Sequence, residues 1–340
     1  MTRFAYDDQL ASMPAVVAGI LSRTDWPKLD MSRPVLFAGI GTSLHAARVA
    51  ADWVTQLTQG RVRALGVDAH DLGSGALPLL PQDQVVVISH RGKKIYPNAS
   101  LKRARALGCF TISIVGEAAP GQDADVTIRT CANETAGTFS VSYLASLAAL
   151  LRVTLASLPA EATVVERALS KLSAAIAASL SRTPDAKLVK AFAARTPILI
   201  TGFASDLFTA QEAALKIKEG AWLWTEAMSP EFAIHGTPAS FHAGMSAIVM
   251  LPASDDGGRS TLLIDVLERL GLGIVATCGL AEAGADLAFA APPHPLLRPF
   301  LAILPFHLLT AELARLLKTD PDTLHGHREP WKAIMANLKL

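Results

Sequence analysis

Short runs of β-branched and other apolar residues alternate with longer stretches of helical periodicity along this chain of 340 residues. Examples are "VLFAG" from Val35, "VVVIS" from Val85 and "ISIVG" from Ile112, each followed by an amphipathic or loop segment. Such a run indicates a buried strand, and the periodic stretch after it indicates a helix. The alternation predicts parallel sheets with helices on both faces and right-handed crossovers.

The second half of the chain repeats the pattern of the first. With Gly39 placed on Gly202, an offset of 163 residues, three segments match without a gap. These segments begin at Pro34 and Pro197, at Val85 and Ile248, and at Leu107 and Leu270. We therefore predict two tandem copies of one unit, each a doubly wound, flavodoxin-like αβα sandwich around a parallel sheet.

The repeat also predicts where the domains begin and end. Ala- and Ser-rich helical segments connect the two copies, and the turn "SRTPDAK" lies near the end of this connection. A leading helix, "DDQLASMPAVVAGILSR", precedes the first copy. The expected division is an N-terminal helix (1–30), a first domain (31–160), connecting helices (161–194), a second domain (195–318) and a C-terminal tail (319–340).

Charge and composition indicate which classes of binding partner this protein has. Lys and Arg total 31 against 30 for Asp and Glu, so the overall charge favours neither nucleic acid nor an acidic membrane surface. Half of the residues are hydrophobic, which allows a large core. The apolar stretches that begin at Ser140 and Leu301 are interrupted by charged residues and proline, so we interpret them as buried helices rather than membrane spans.

The N-terminus and the cysteines indicate a cytoplasmic protein. "MTRFAYDDQL" contains acidic residues where an export signal needs an apolar segment. Cys109, Cys131 and Cys278 show no CxxC spacing, and two of them lie in apolar, strand-like runs. We therefore expect buried free thiols in a reducing compartment.

Ligands of open parallel sheets bind beyond the carboxyl ends of the strands, so the loops at those ends are the candidate sites. "GIGTS" has Gly39 and Gly41 after a strand, but Leu44 replaces the third glycine of a dinucleotide motif. Thr42 and Ser43 supply hydroxyl groups at the start of a helix. Their position fits contact with a single phosphate and N-capping of the helix equally well.

The loop "SHRGKK" follows the next buried strand of the first copy. Gly92 permits a tight turn, Ser89 has a hydroxyl group, and Arg91 can bind two oxygens of a phosphate, sulfate or carboxylate. Lys93 and Lys94 add positive charge. The alternative is a solvated basic helix face, which we favour for the later cations Lys102, Arg103 and Arg105. For the strand-end residues we expect an anion site.

The segment "EAALKIKEG" in the second copy places Glu212, Lys216 and Glu219 on one helix face. One interpretation is an exposed ion pair, worth roughly 0.3–0.5 kcal/mol. Gly220 indicates that the helix ends just after Glu219, and the negative end of the helix dipole favours proton uptake by a carboxylate there. The other interpretation is therefore a proton-shuttling base.

Histidines give weaker signals. His235 lies in a segment rich in glycine and proline, "IHGTPASFHAG", where a solvated or capping role is common. His325 and His327 in "TLHGHREPW" have no obvious third ligand nearby, so we expect no metal site.

Together these segments resemble the sugar isomerase (SIS) domain family, and in particular the two-domain isomerase half of glucosamine-6-phosphate synthase. The resemblance rests on "GIGTS", the serine-led loop after the next strand, "EAALKIKE", and a histidine-glycine pair followed by proline. It covers nearly the whole chain from about Pro34. It implies two tandem SIS domains, no cofactor, a homodimer, and a sugar phosphate or related anionic sugar as ligand.

The resemblance also implies residue roles. Glu219 would move a proton between carbons 1 and 2 of the open-chain sugar, and His235 would assist ring opening, which family members often do in a neighbouring subunit's site. Lys332 is the candidate for the tail lysine that forms a Schiff base. Contact with the sugar or its phosphate is implied for Gly41, Thr42, Ser43, Ser89, His90, Arg91, Gly92, Lys94, Glu134, Thr138, Ser140 and Lys216.

Three departures from the family pattern bear on these roles. The loop pattern SxSGxT here has Arg91 and Lys94 in place of a serine and a threonine, so charge replaces hydroxyl groups. "EFAIHGTP" has one residue more on each side of the histidine-glycine pair than ExxHGP. Lys332 comes about three residues late. We also expect no glutaminase domain, because no cysteine-led glutaminase sequence stands before the first copy.

The expected function is that of an enzyme, a phosphosugar isomerase or an amino-sugar-phosphate deaminase-isomerase. The alternatives are a non-catalytic sensor of a sugar phosphate and an enzyme of the same fold for another anionic sugar. About thirty residues precede the first strand, which is too few for a helix-turn-helix domain. A sensor would therefore act through protein contacts.

Overall fold

Strands and helices alternate along the chain in the computed structural model, which describes residues 2–338. The elements of the first half are α1 (Ala5–Leu21), β1 (Val35–Gly39), α2 (Thr42–Leu57), β2 (Ala64–Asp68), α3 (Ala69–Ser74), β3 (Gln84–Ile88), α4 (Ile95–Ala106), β4 (Phe110–Val115), β5 (Val126–Arg129), α5 (Val141–Ser157) and α6 (Pro159–Leu180). The predicted leading helix is α1.

The second half continues in the same way. Its elements are α7 (Ala186–Ala194), β6 (Ile198–Thr201), α8 (Asp206–Ala221), β7 (Thr225–Met228), α9 (Pro230–Ile234), β8 (Ser246–Met250), α10 (Arg259–Arg269), β9 (Ile274–Leu280), β10 (Leu287–Phe289), α11 (Arg298–Ala302), α12 (Leu304–Leu317) and α13 (Trp331–Asn337). Short 3₁₀ turns lie at Thr237–Ser240, Ala281–Ala283 and Pro295–Leu297.

The strands form two parallel sheets of five strands with the same topology. The first has the order β2-β1-β3-β4-β5 and the second the order β7-β6-β8-β9-β10, counted from the corresponding edge. Every strand pair is parallel. The predicted fold class of two tandem α/β domains is therefore confirmed. In this strand order the ligand-binding switch point lies between β1 and β3, or between β6 and β8.

The chain divides into two compact units whose segments interleave. The first-sheet unit comprises Ser12–Glu134, Phe139–Ser173 and the residues from Arg328 on. The second-sheet unit comprises the N-terminal residues up to Ala11, Thr135–Thr138 and Ala174–His327. Each unit thus contains one sheet, and the short segment that ends at Thr138 belongs with the second sheet rather than the first.

Matching glycines let the helix after the first strand of each sheet begin close to that strand. A Cβ on Gly39 would lie 2.4 Å from the backbone carbon of Ser43, and one on Gly202 would lie 2.4 Å from the backbone oxygen of Asp206. Contacts this short exclude a side chain. The first glycine of each motif is therefore required by close packing, independently of any ligand.

The apolar segments and the cysteines are buried as expected. Within α5 nearly every residue is buried, and 72% of the most apolar window of Pro295–Leu317 lies inside the protein, although that segment has the length and hydropathy of a membrane span. Cys109, Cys131 and Cys278 are buried free thiols. Burial raises the pKa of Cys131 to about 12, so its thiol stays protonated at neutral pH.

Candidate active site

The loops after β1 and β3 leave the first sheet at its switch point. β1 and β3 are neighbours with Ala38 opposite Val87, so their carboxyl ends lie at the same edge of the sheet. The glycine-rich loop from Gly39 follows one strand and the loop from Ser89 follows the other. The position expected for a ligand in this fold is therefore bordered by both predicted loops.

The loop after β3 makes the tight turn that its glycine predicts. The amide of Gly92 donates a hydrogen bond of 2.8 Å to the carbonyl oxygen of Ser89, and the φ angle of Gly92 is +62°. A side chain would be strained at this angle, so the turn requires glycine. Lys94 is the N-cap residue of α4, and no side chain caps that helix.

Arg91 and Lys94 give the loop a concentrated positive charge. The exposed guanidinium group of Arg91 lies over the ring of Phe139 at 5.2 Å from its centre. This contact orients the planar fork and leaves its N–H edge available for an anion. Burial, and then the charge of Arg91, lower the pKa of Lys94. An anion bound here would offset the repulsion between the two cations.

His90 is a buried imidazole beside this charge. It is 6% exposed, packs edge-on against Phe139, and its carbonyl oxygen accepts a hydrogen bond from the amide of Gly116. Within residues 2–338 neither of its ring nitrogens has a hydrogen-bond partner. Burial, with a contribution from Arg91, lowers the pKa of His90 to about 4, so the ring is neutral at pH 7. A neutral imidazole presents one donor and one acceptor to a ligand.

The loop after β1 supplies backbone and hydroxyl groups. α2 begins at Thr42, Gly41 is its N-cap residue with a φ angle of 55°, and no side chain caps the helix. Thr42 and Ser43 are half-buried. Gly41 has no side chain that could cap the helix, and both interpretations of the Thr42 and Ser43 hydroxyl groups, as helix caps and as phosphate contacts, stay predictions.

Carboxylates occupy the matching positions of the second-sheet unit. Asp206, the counterpart of Ser43 in the repeat, accepts two hydrogen bonds from Nε of the buried Arg298, at 2.8 and 3.0 Å. Burial raises the pKa of Asp206, and Arg298 opposes that rise. Asp256, the counterpart of Lys93, accepts a hydrogen bond of 2.8 Å from the amide of Ser260 at the start of α10. The second sheet thus has carboxylates, one of them paired with an arginine, at the positions where the first sheet has Ser43 and Lys93.

Glu134 caps the N-terminus of α5. Its carboxylate accepts hydrogen bonds from the amides of Ser140, at 2.8 Å, and Ser142, at 2.6 Å, and from the Ser140 hydroxyl group at 3.2 Å. Both Glu134 and Ser140 are buried. The carboxylate thus compensates the unpaired amides and the positive dipole end of the helix. Their predicted place in the lining of a sugar pocket stays a prediction.

The charged face of α8 is buried, so the interpretation as an exposed ion pair is wrong. Lys216 is fully buried, and its Nζ lies 2.6 Å from Oε2 of Glu219 and 3.4 Å from Oε1 of Glu212. Glu212 is also fully buried, whereas the side chain of Glu219 is 26% exposed. α8 ends at Ala221, with Trp222 in the left-handed conformation, so Glu219 is in the last turn as predicted.

Two further side chains lie behind this cluster. The hydroxyl oxygen of Tyr6 is 2.6 Å from Nδ1 of the fully buried His307. Burial, followed by the charge of Lys216, lowers the pKa of His307 to about 3, while Glu212 opposes the shift. The His307 imidazole near the Lys216 ammonium group is therefore neutral. It adds no charge to the cluster of Lys216, Glu212 and Glu219.

The end of α8 also meets the segment 135–138 and the start of the tail. Thr319 donates a hydrogen bond of 2.8 Å to the carbonyl oxygen of Gly220, and the amide of Thr138 donates one of 2.9 Å to Pro321. A Cβ on Gly220 would lie 3.6 Å from Oγ1 of Thr138. That oxygen is buried and has no hydrogen-bond partner in the described part of the chain. Thr138 thus places an unsatisfied hydroxyl group beside Gly220, the residue that follows Glu219.

His235 lies in the turn that follows the short helix α9, as its C-cap residue. Its side chain is 73% exposed, and Nε2 lies 2.7 Å from Oε1 of Glu231. The other oxygen of that carboxylate, Oε2, lies 2.9 Å from Nε of Arg259. Ser229 caps α9 and Pro230 is in its first turn. The helix start at Ser229 and Pro230, with the i, i+4 spacing of Glu231 and His235, is enough to predict their contact from the sequence. The contact of Arg259 with Glu231 is not predictable in this way, because it depends on the packing of α10 on α9.

The C-terminal tail contains two further residues that the sequence analysis considered, Lys332 and His325. Lys332 is exposed on α13, and its predicted Schiff-base role stays a prediction. His325 stacks on Trp222 with ring centres 3.2 Å apart. Across residues 2–338 no group of three or more histidine, cysteine or acidic side chains has the geometry to bind a metal ion.

Known proteins resemble this chain in sequence and in fold. Residues 28–156 match the SIS domain family. The matched segment contains the first sheet. The glutamine–fructose-6-phosphate aminotransferase [isomerizing] of Pseudomonas aeruginosa is 29% identical over 310 residues, which cover 85% of this chain and 50% of that protein. The chain is thus homologous to the isomerase half of that aminotransferase and spans about half the length of the curated relative.

Solved structures show the same fold at lower sequence identity. The C-terminal domain of glucosamine-fructose-6-phosphate aminotransferase from Francisella tularensis superposes with a TM-score of 0.82 at 17% identity, over 94% of this chain and 98% of that chain. Glucosamine-6-phosphate deaminase from Thermotoga maritima has a TM-score of 0.70 at 18% identity, over 94% and 95%. At these identities the likeness concerns the fold alone.

Proposed function

We propose that this protein is a phosphosugar isomerase that interconverts an aldose phosphate and a ketose phosphate through an enediol. The observation that carries the proposal is the Glu219 carboxylate, part exposed at the end of α8 and 2.6 Å from a fully buried ammonium group. The reaction needs a carboxylate that takes a proton from carbon 2 and returns it to carbon 1. Lys216 holds Glu219 in one position for both transfers.

The phosphate of the sugar binds at the first sheet in this proposal. Arg91 and Lys94 supply charge, and Ser89, Thr42 and Ser43 supply hydroxyl groups at the switch point. Support comes from the contrast between the sheets, because the matching positions of the second sheet have the carboxylates of Asp206, already paired with Arg298, and Asp256.

The remaining predicted groups have supporting roles. Thr138 and the neutral His90 present hydrogen-bonding groups that lack partners within residues 2–338, as expected for contacts with sugar hydroxyl groups. His235 accepts and returns the proton that moves during ring opening. The relatives that carry an aminotransferase or deaminase name motivate a second reaction, release of ammonia from an amino-sugar phosphate.

The proposed reaction is tested by the exchange of carbon-bound hydrogen of the sugar with solvent. The protein is incubated in deuterium oxide with fructose 6-phosphate, glucosamine 6-phosphate and a panel of other aldose and ketose phosphates, and deuterium at carbons 1 and 2 is measured by NMR. An enediol exchanges this hydrogen with solvent even when net conversion is small. Ammonia release from glucosamine 6-phosphate identifies the deaminase reaction.

Glu219→Gln is the decisive variant. It should abolish exchange while the affinity for the sugar phosphate changes by no more than about twofold, because a base acts in the transition state. Glu226→Gln, which changes an exposed carboxylate on β7, is the matched control. Full exchange by Glu219→Gln contradicts the assignment. Binding without exchange by the unaltered protein indicates a sensor, and binding of sugar acids alone indicates another anionic substrate.

We also propose that the protein acts as a homodimer in a reducing, cytoplasmic compartment. Trp224 and Phe232 are 67% and 64% exposed, and Phe232 is on the same short helix that ends at His235. Covering these side chains with a second copy removes apolar surface from water. Light scattering should give twice the chain mass of 35.9 kDa, and a monomer over the micromolar range contradicts the proposal.

A further inference from the structure

A carboxylate bridges a histidine and an arginine at the end of α9. Oε1 of Glu231 lies 2.7 Å from Nε2 of His235, and Oε2 of Glu231 lies 2.9 Å from Nε of Arg259. All three side chains are largely exposed, so water competes for every contact. The arrangement nevertheless uses one carboxylate oxygen for each partner, which holds the carboxylate plane between them.

Local structure brings the three residues together. Ser229 accepts a hydrogen bond from the amide of Phe232 and starts α9, so Glu231 and His235 are separated by one helical turn. Gly257 and Gly258, both with positive φ angles, turn the chain into α10, whose first residue is Arg259. α10 packs against α9, and both helices belong to the second-sheet unit. The 3₁₀ turn Thr237–Ser240, which also contacts α9, contains no titratable side chain.

The contact with Glu231 determines which nitrogen of His235 carries a proton. An ionised carboxylate only accepts hydrogen bonds, so Nε2 must be protonated and donate. In the neutral imidazole the other nitrogen, Nδ1, then has the free lone pair. Arg259 binds the second oxygen of the same carboxylate and restricts its rotation, which keeps the first oxygen directed at Nε2.

We propose that Glu231 and Arg259 are positioning residues that hold the His235 imidazole in its Nε2–H tautomer and leave Nδ1 to exchange a proton with the sugar. The inference rests on the proposed role of His235 in ring opening. There, the proton of the anomeric hydroxyl group moves to Nδ1, and the oxygen it leaves forms the carbonyl double bond. The bond from the anomeric carbon to the ring oxygen breaks, and the ring oxygen takes the proton from Nδ1. The imidazole is regenerated.

The first measurement needs no substrate. The full chain is labelled with ¹⁵N-histidine, His235 is assigned with His235→Asn, and ring nitrogen shifts are recorded at a pH where the ring is neutral. The unaltered protein should show a protonated Nε2 and a bare Nδ1. Glu231→Ala and Arg259→Gln should each change the tautomer ratio by about two- to fivefold toward that of an unrestrained imidazole, the range of exposed charged contacts.

The second measurement separates positioning from a general structural effect. Glu231→Ala and Arg259→Gln should slow turnover of fructose 6-phosphate by about fivefold, and turnover of its 5-deoxy analogue, which has no hydroxyl group that can close a ring, by less than about twofold. Arg269→Gln is the matched control, since it removes another arginine of α10 that pairs with a carboxylate, Asp265, away from His235. It should change neither the nitrogen shifts nor the turnover.

The outcomes are distinguishable. Unchanged nitrogen shifts in Glu231→Ala overturn the tautomer assignment. Equal slowing of both substrates, with altered shifts, overturns the role in ring opening. If the unaltered protein turns over no sugar phosphate, the proposed function fails, and the nitrogen shifts still decide whether Glu231 and Arg259 hold one tautomer.

Discussion

Lys216 Nζ lies 2.6 Å from Oε2 of Glu219, and the ammonium group is fully buried while the carboxylate reaches the surface. The same ammonium group is 3.4 Å from the fully buried Glu212. One cation is thus shared by two carboxylates of which only one is accessible. Proton uptake by Glu219 therefore changes the charge balance of a buried cluster, and this couples the candidate chemistry to the stability of α8.

Replacement of Lys216 should be strongly destabilising. Lys216→Met removes the cation next to the buried Glu212 carboxylate, and loss of one partner of a buried pair costs about 3–5 kcal/mol in the free energy of unfolding. Urea denaturation followed by circular dichroism measures this. The control is Lys218→Met on the same helix, whose ammonium group lies over the exposed Trp224 ring and should contribute less than about 1 kcal/mol.

The double variant Lys216→Met with Glu212→Gln distinguishes charge from packing. It should recover part of the lost stability, because the Glu212 carboxylate that has lost the Lys216 cation is neutralised as well. Equal destabilisation by the single and double variants would show that Lys216 acts mainly through its packing.

Removal of Arg91 should weaken binding of the anionic ligand. Arg91→Ala deletes a charge-assisted contact worth about 1.5–3 kcal/mol, which corresponds to roughly ten- to a hundredfold in the dissociation constant. Titration calorimetry with the sugar phosphate at low and high salt measures it, and the difference between the proteins should shrink as salt screens the charge. Lys102→Ala, an exposed cation on α4, is the control, and an equal effect there would contradict a specific site.

The free energy of unfolding should rise with pH through His307. Its pKa is lowered from 6.5 to about 3 in the folded protein, so below pH 6.5 the unfolded chain binds a proton that the folded chain does not. The stability contributed by the neutral ring is complete above pH 6.5 and is lost at about 1.4 kcal/mol per pH unit as the pH falls toward 3. His307→Gln should remove that slope in urea titrations from pH 7 to 4.

His90 gives a matched comparison for the same experiment. Its pKa is lowered to about 4, so His90→Gln should flatten the profile between pH 6.5 and 4 and leave it unchanged below. Identical profiles for the unaltered protein and both variants would show that these rings are more accessible to protons than their burial indicates.

Glu134 should stabilise the fold through α5. Glu134→Ala removes the acceptor of two backbone amides and a hydroxyl group, and we expect a loss of about 3 kcal/mol in the free energy of unfolding. Urea denaturation measures it, with Glu117→Ala, an exposed carboxylate, as control. Loss of ligand affinity with unchanged stability would instead favour the role in the sugar pocket.

Periodicity in the sequence is sufficient to predict the strands and the tandem sheets. A buried parallel strand requires a short apolar run, and this requirement is local, so "VLFAG" and "VVVIS" identify β1 and β3 without any tertiary information. The end of α8 was equally readable from Gly220. Burial of its charged face was not, because the spacing of Glu212, Lys216 and Glu219 is the same on an exposed helix and on a buried one.

The sequence by itself thus determined the fold class, the strand-end loops and the residue types at the candidate site, since each depends on neighbours along the chain. Tertiary structure alone decided which charges are buried and which partners they have. Phe139 under Arg91, Arg298 against Asp206 and Arg259 against Glu231 join positions far apart in the chain. Burial and charge pairing are set by those distant contacts, so no local pattern of residues specifies them.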